Sequence, residues 1–577
     1  MELSFQHANP GAGNESTILR IDGLLPDQPV CLLVDAGAGV DVADALGPDE
    51  YLTGILLTHA HLDHYRSLGE NLVDGAPIYA ATPTATVLDR VLDLGVGEYD
   101  LSNVDAVRNA LEPVADWTTI VEGLELSPLP AGHTLGAAGF LLRIEDDDET
   151  VTVLVTGDFT RRHTAGYEPM PGTLPVDVDV LVVNAVTREQ YAETLDDALD
   201  TLLSRARAGS RVVAATSGLR GVQIAYQLGH LADDLDVDLP IRVVGQAARL
   251  AETLDYDVPN VEWVPTFADA DDVLEPGGVT VSGPEVPVGG STAVLYREIA
   301  DDPDATFVQL TGGGTDDVTG TACTTARYVL SNHPTRETVD ELVTTLAPIH
   351  VVVNHQTGRG ADRYKDEYRS YVWAPSDERA YTLRDDTGWT APPWVTEQTK
   401  RLVWEHRREH GPRVVESGDD LPTPGRVDTP DLAAEGVDVA RFRREYSDTA
   451  GSDADAGADR AAVREATSAD STRSEVGSVP TSTGDSAAPA SDSTSAADGS
   501  GGQSGDDSPP ASSADGPSTR VVLARLARLE AALDGEVHDA TVVDAGDDVT
   551  LLRLADVPAG LEHGDEVGVR IVPEFDR

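Results

Sequence analysis

The segment LLTHAHLDHYRSLG, residues 56–69, places His59, His61, Asp63 and His64 within one short stretch of a chain that has only 14 histidines in 577 residues. GILLTH reads as a strand, so His59 and His61, two apart in extended chain, point to the same side. Asp63 and His64 follow where a helix should start. Two side chains can then face one ion, while the next two turn toward a second beside it. Three further donors stand at predicted strand ends: His133 in LPAGHTLGAAGF, Asp158 in LVTGDF and His355 in VVVNHQTG. In layered α/β folds, strand ends along one sheet edge are where functional residues gather. Imidazole and carboxylate suit zinc, with manganese accommodated by the same donors. Cys31 and Cys323 are the only cysteines, too few for a disulfide framework, so a metal here must use His and Asp.

The elements that must position these donors alternate. STILRI, VCLLVDAG, GILLTH, APIYAA, LELSPLP, GFLLRI and TVLVTGDF read as strands ended by Gly, Pro, Asp or His. TPTATVLDRVLDLG reads as a helix closed by Gly95. A second α/β rhythm follows, with strands RVVAATSG, IRVVGQ, GVTVSGPE and TFVQLTGGG and helices GVQIAYQLGHLADD and QAARLAETLD. RETVDELVTTLAPIHVVVNHQ then predicts a helix and a strand that ends on His355. Strands interleaved with helices predict a layered α/β architecture.

Domain boundaries are expected at 1–184, 185–330 and 331–375, with the last segment completing the first domain. Residues 376–445 form an extension holding a locally basic helix, TEQTKRLVWEHRREHG. Residues 446–518 turn to Ser, Asp, Ala, Gly, Thr and Pro, a composition that predicts a disordered acidic linker. Residues 519–577 predict a small α+β unit, in which Val522, Leu526, Leu529 and Leu533 fall at 4-3-4 spacing. That helix suits either oligomerisation as a short coiled coil or packing on the strands after it.

The net charge is −60, with 101 acidic against 41 basic residues, and Lys365 and Lys400 are the only lysines. Acidic excess spread along the whole chain reads as a surface hydrated in concentrated salt, which suggests a halophilic, archaeal cytoplasm. Neither a signal peptide nor a membrane-spanning run is apparent.

The order of these donors resembles the metallo-β-lactamase superfamily. The resemblance implies one ion held by His59, His61 and His133, a second by Asp63, His64 and His355, and Asp158 between them. Two Zn2+ or Mn2+ ions at such a site, about 3.5–4 Å apart, generate a hydroxide that attacks phosphorus and clamp both oxygens of an in-line displacement. Asp35, in VDAGAG, matches the early acidic position and would orient a ligand from behind; a turn-forming Asp before Gly37 is the competing reading.

Between Asp158 and His355 the insert resembles the β-CASP cap of nucleic-acid nucleases, in LRGVQIAYQLG, in VSGPEVPVGGSTAVLYREIADDPDATFVQLTG and in VLSNHPTRETVDELVTTLAPIHVVVNH. This resemblance covers about residues 10–370. It implies an αββα sandwich with an inserted α/β cap. Histidine at the position of His355 accompanies the RNA-processing members, and THAHLDH with HTLGA is similar to the cleavage-and-polyadenylation nuclease subunits and their archaeal relatives. Asp63, His333 and Asn184 would serve catalysis, with His333 contacting the scissile phosphate or protonating the leaving oxygen. Arg220, Ser291, Arg401, Arg407 and Arg408 are candidate RNA contacts.

The chain departs from the family's pattern in three ways. Asn184 stands where the family carries an acid; it can hydrogen-bond His333 but supplies no negative charge. The stretch between TGGGTDD and VLSNH is short, and Pro334-Thr335 replaces the usual Ala-Asp. TGGGTDD lacks the Gly-Lys-Ser/Thr ending of a nucleotide P-loop, so no nucleotide cofactor is expected. The expected protein is a soluble RNA phosphodiesterase of endonucleolytic type, with RNA as partner. The alternatives are a slow or non-catalytic RNA-binding paralogue in a processing assembly, and a small-molecule metallo-hydrolase.

Overall fold

The computed structural model describes residues 1–95, 99, 101–146, 149–365, 367–410, 421–447, 540–544 and 550–554. The near-continuous apolar runs of residues 1–184, completed by four strands between 350 and 389, build two sheets. The first has eight strands, in the order Gly388–Trp389, Tyr381–Asp385, Glu2–His7, Thr17–Leu25, Gln28–Val34, Leu52–Leu57, Ile78–Ala81 and Leu111–Val114. The second has seven, in the order Tyr371–Trp373, His350–Asn354, Val180–Asn184, Glu149–Val155, Ala138–Asp146, Leu124–Pro130 and Thr118–Val121.

The inner faces of these sheets share one core. Phe5, Leu19, Ile21, Leu32, Phe140, Leu142, Val153 and Val352 are all fully buried in it, which accounts for apolar runs longer than one-faced alternation would give. The outer face of the second sheet packs against Val339, Leu342 and Val343 of the helix Arg336–Leu346. Leu88 and Val91 of the helix Thr82–Gly95 cover the outer face of the first. This is the αββα sandwich.

Residues 212–329 form a third sheet, whose strands are all parallel: Val261–Val264, Ile241–Val244, Val279–Ser282, Val212–Ala215, Thr306–Thr311 and Thr324–Val329. The helices Tyr191–Arg207, Gly218–Asp234, Gln246–Thr253 and Gly290–Ile299 flank it. Thr324–Val329 is a strand the sequence rhythm did not flag. It pairs in parallel with Thr306–Thr311, so residues 312–323 make the crossover without a helix.

The stretch after 375 divides between the layers. Tyr381–Asp385 pairs antiparallel with Glu2–His7, and the helix Glu397–His410 buries Val403 against Ile349 and Tyr371. Residues 421–447 run across to the cap, where Phe442 is fully buried and Arg443 pairs with Asp234. Beyond these, Ala540–Asp544 and Thr550–Leu554 form an antiparallel hairpin in a separate unit. The expected linker, apart from its first two residues, and the 4-3-4 helix lie outside the described residues. Among the described residues, no helix is long and apolar enough to cross a membrane.

Candidate metal centre

Strand ends supply the cluster. His59 and His61 follow Leu52–Leu57, His133 follows Leu124–Pro130, Asp158 follows Glu149–Val155, and His355 follows His350–Asn354. In the second sheet these strands run in the same direction, because each antiparallel step is followed by another. Their carboxyl ends therefore meet at one edge. Asp63 and His64 come from the short helix Leu62–Tyr65 directly after.

Donor atoms of His59, His61, His133 and Asp158 lie within 4.8 Å of one another, as do those of Asp63, His64 and His355. His61 Nδ1 meets His59 Nε2 and His133 Nε2, both at 3.1 Å. Asp158 Oδ2 lies 3.4 Å from His133 Nε2, 3.5 Å from His64 Nε2 and 3.8 Å from His59 Nε2. Its Oδ1 lies 3.1 Å from His355 Nδ1. One carboxylate thus faces both groups.

Protons alone satisfy this geometry poorly. A single proton can serve one nitrogen pair, which leaves the third lone pair aimed at another. Three nitrogens around a tetrahedral zinc, at about 2.0–2.1 Å each, stand about 3.3 Å apart, close to the spacing observed. His64 Nε2 is moreover buried without a hydrogen-bond partner. The donor set fits a divalent cation, or two.

For the first group the electrostatics agree, whereas in the second burial is outweighed by Asp158, Asp35 and Asp63, which hold His64 well above its ordinary value. Burial, and then the neighbouring His133, pushes His61 down to about 3, so it presents a neutral lone pair. Burial, and then His64, likewise hold His59 well below its ordinary value. Burial opposes ionisation of Asp158, yet His355, His64, His333 and His133 together hold it well below the usual carboxylate range.

Local backbone serves the cluster too. Asp35 and His355 both sit in left-handed backbone, at φ +54° and +55°, a conformation costly for non-glycine residues and concentrated at functional sites. A Cβ on Gly37 would collide with the Asp63 carbonyl oxygen and the Glu15 carboxylate, so only glycine allows this approach. Asp35 Oδ2 accepts from His64 Nδ1 and from Thr58 Oγ1, both at 2.8 Å, and Oδ1 accepts from Thr58 N–H at 2.8 Å. This bond leaves His64 Nε2 as the free donor atom. Asp35→Asn is expected to weaken metal binding about 10–100-fold, read by competition with a chromophoric chelator; unchanged affinity would remove Asp35 from the site.

His333 lies beside the cluster, its ring centroid 4.7 Å from that of His133 and its Nδ1 3.9 Å from Asp158 Oδ2. Asn184 does not reach it, contrary to expectation. It closes the strand Val180–Asn184 in register with Asn354, which turns its amide toward Asp158 Oδ1 and, at 2.8 Å, His355 Nδ1. Arg220 lines the same cleft, of about 330 Å³, with His61, Asp63, His133, Asp158, His333 and His355, and pairs with Glu285 at 3.0 Å. Ser291 is not among the lining residues; its hydroxyl packs on Gly245. Arg401 lies instead in a pocket with Trp389 and Trp404. Arg407 and Arg408 stand on the same helix, and their side chains lie outside the described residues.

Sequence reasoning missed the fasteners. Asn332 accepts from His133 Nδ1 through its carbonyl at 2.8 Å and donates to the His133 carbonyl at 2.9 Å. Arg162 in turn donates to Asn332 Oδ1 and to the His333 carbonyl at 2.7 Å. His355 N–H donates to the Asn14 carbonyl at 2.5 Å, and Asn354 Nδ2 to that of Glu15 at 2.8 Å. Only the place of Asn332 directly before His333 could have signalled any of these.

No family model matches the chain. Among curated proteins it is 32% identical over 159 residues to an endoribonuclease YSH1 of Mycosarcoma maydis, covering 24% of this chain and 17% of that protein. It is 30% identical over 157 residues to cleavage and polyadenylation specificity factor subunit 3 of Dictyostelium discoideum, covering 24% and 19%. It is also 25% identical over 213 residues to the ribonuclease TTHA0252 of Thermus thermophilus, covering 34% and 48%. The chain thus spans less than a fifth of the two eukaryotic relatives and about half of the bacterial one. With seven donors meeting where the two sheets end and a parallel α/β unit inserted between Asp158 and His355, the chain is similar to the β-CASP nucleases of the metallo-β-lactamase superfamily.

Proposed function

We propose that the protein is a metal-dependent phosphodiesterase that cleaves RNA endonucleolytically in RNA processing, leaving a 5′-phosphate and a 3′-hydroxyl. The observation that carries this reading is the convergence of seven donors at a cleft whose far side is the cap. His59, His61 and His133 would hold one ion, Asp63, His64 and His355 a second, and Asp158 would lie between them. Bound zinc or manganese would supply Lewis acidity and a water activated near neutral pH.

The protein's own residues then do the rest. Asp35 and Asn332 fix the tautomers of His64 and His133 by occupying their Nδ1 atoms. Asn184 holds Asp158 through its amide. His333 meets the scissile phosphate or the leaving oxygen. Arg220 and Gln223, on the cap helix Gly218–Asp234, face the substrate across the cleft. RNA approaches a chain of this charge because in molar salt the Debye length falls to about 3 Å, which removes long-range repulsion. That condition fits a halophilic cytoplasm.

The test is cleavage of 5′-labelled single-stranded RNA in molar KCl with zinc or manganese, beside an Asp63→Ala/His64→Ala variant. Discrete metal-dependent cuts absent from the variant are expected. Binding without cutting would make the protein an RNA-binding scaffold, whereas turnover of a small ester without RNA cleavage would make it a small-molecule hydrolase.

A further inference from the structure

The edge strand Tyr371–Trp373, the short strand Gly388–Trp389 and the helix Glu397–His410 enclose a second pocket, of about 460 Å³. Its lining is aromatic with charges of both signs: Trp389, Trp404 and the largely buried Tyr371, with Lys400 and Arg401 beside Glu397 and Glu405. Trp394, 45% exposed, packs edge-on at 5.5 Å against Trp373 of the same edge strand and lies under the Lys365 ammonium at 5.5 Å.

The composition of this patch is unlike the rest of the protein. Both lysines of the chain and four of its six tryptophans fall between residues 365 and 404. The helix carries four basic against three acidic residues in a chain of net charge −60. Lys400 pairs with Glu397 at 2.8 Å, but an exposed pair of this kind is worth little and gives way readily. Trp394, Leu402 and Trp404 are all exposed, and large apolar side chains left exposed in one region mark a surface that meets a partner.

The chemistry selects the partner. Planar aromatic faces next to ammonium and guanidinium groups match stacked bases joined by phosphates, and such stacking is tolerant of sequence. High salt weakens phosphate contacts but leaves stacking intact, so an aromatic platform is the economical way to hold RNA under those conditions. We infer that this pocket is a second binding site for single-stranded RNA, separate from the metal centre; the inference rests on RNA as the substrate class proposed above. Tyr371 pairs with His350, at the far end of the strand that leads to His355. Five residues of strand, at about 3.3 Å each, put the pocket about 16 Å from that ligand. A short substrate cannot occupy both.

The experiment titrates the full chain with an oligouridylate of about 16 nucleotides in molar KCl and EDTA, following tryptophan quenching and the anisotropy of a label. Wild type, Trp404→Ala and the surface variant Lys400→Gln/Arg401→Gln are compared, and hydrolysis of bis(p-nitrophenyl) phosphate is measured for each with metal restored. Trp404→Ala is expected to weaken oligouridylate binding about tenfold and the double variant several-fold, with hydrolysis of the small diester unchanged. Wild-type affinity in both variants overturns the inference, whether or not RNA is cut. A Trp404→Ala change in oligomeric state without a change in affinity overturns it too, and assigns the patch to a second copy. Tight, Trp404-dependent binding without cleavage sustains this site while defeating the nuclease reading.

Discussion

For the proposed two-ion nuclease, Asp158→Ala is expected to abolish RNA cleavage and to lower bound metal from two ions per chain to one or none. The carboxylate is 2% exposed and directs one oxygen toward His59, His64 and His133 and the other toward His355. Among the described residues, Asp158 is the carboxylate grouped with His59, His61 and His133 that also bonds His355, whereas Asp63 is grouped with His64 and His355 and Asp35 lies behind His64. Without Asp158 the imidazoles of His59, His61 and His133 converge with no carboxylate in their own group, and a second cation would face repulsion from the first with no shared carboxylate between them. A loss of at least about 10³-fold in cleavage, more than about 4 kcal/mol of barrier, follows if the two-ion centre is what lowers it. Asp158→Asn keeps the volume and should behave alike. Metal content by plasma mass spectrometry and single-turnover cleavage decide the matter, and an Asp158→Asn protein with two ions and wild-type rate would sink this assignment.

Why the donors were legible and their supports were not comes down to range. THAHLDH encodes its own geometry, because a strand followed by a helix start turns four neighbouring side chains toward one place. His133, Asp158 and His355 each end an apolar run, and strand ends at one edge meet whenever the strands run parallel, so the topology did the assembly. Asn332 carried no such mark. Its value comes from contacts with residues far away in the chain, His133 and Arg162. The same holds for Asn14 and Glu15, which clasp the His355 turn across the two sheets. Asn184 was read by family pattern as a partner of His333; the register with Asn354 sends it to Asp158 instead. The strand Thr324–Val329 was missed because TTARYV is half-buried on the edge of its sheet and lacks a continuous apolar run. Residues 421–447, all but unreadable as a polar tail, fold back onto both cap and sandwich.

Those last residues carry the remaining large effect. Glu435 is 1% exposed, and its carboxylate accepts from the backbone N–H groups of Ala165 at 2.9 Å and Gly166 at 2.8 Å and from Gln227 Nε2 at 3.2 Å. It thereby ties the extension to the cap helix Gly218–Asp234 and to the loop that continues from Arg162, which holds Asn332 and His333. Burial is the larger influence and pushes Glu435 up to about 7; the three donors moderate it. A carboxyl raised in this way binds its proton more tightly folded than unfolded. Its contribution is therefore fully favourable below about pH 4.5 and is lost as pH rises toward 7, because the charged form must then be buried. Raising the carboxyl from 4.5 to about 7 corresponds to about 3 kcal/mol between those limits. Glu435→Gln cannot titrate, so the stability of wild type relative to this variant should fall by about 3 kcal/mol between pH 4.5 and 8, measured by denaturant unfolding at constant molar salt. Parallel stability curves for the two proteins would mean that Glu435 is ionised throughout, its three donors outweighing its burial, and that the strap is fastened by charge rather than by a shared proton.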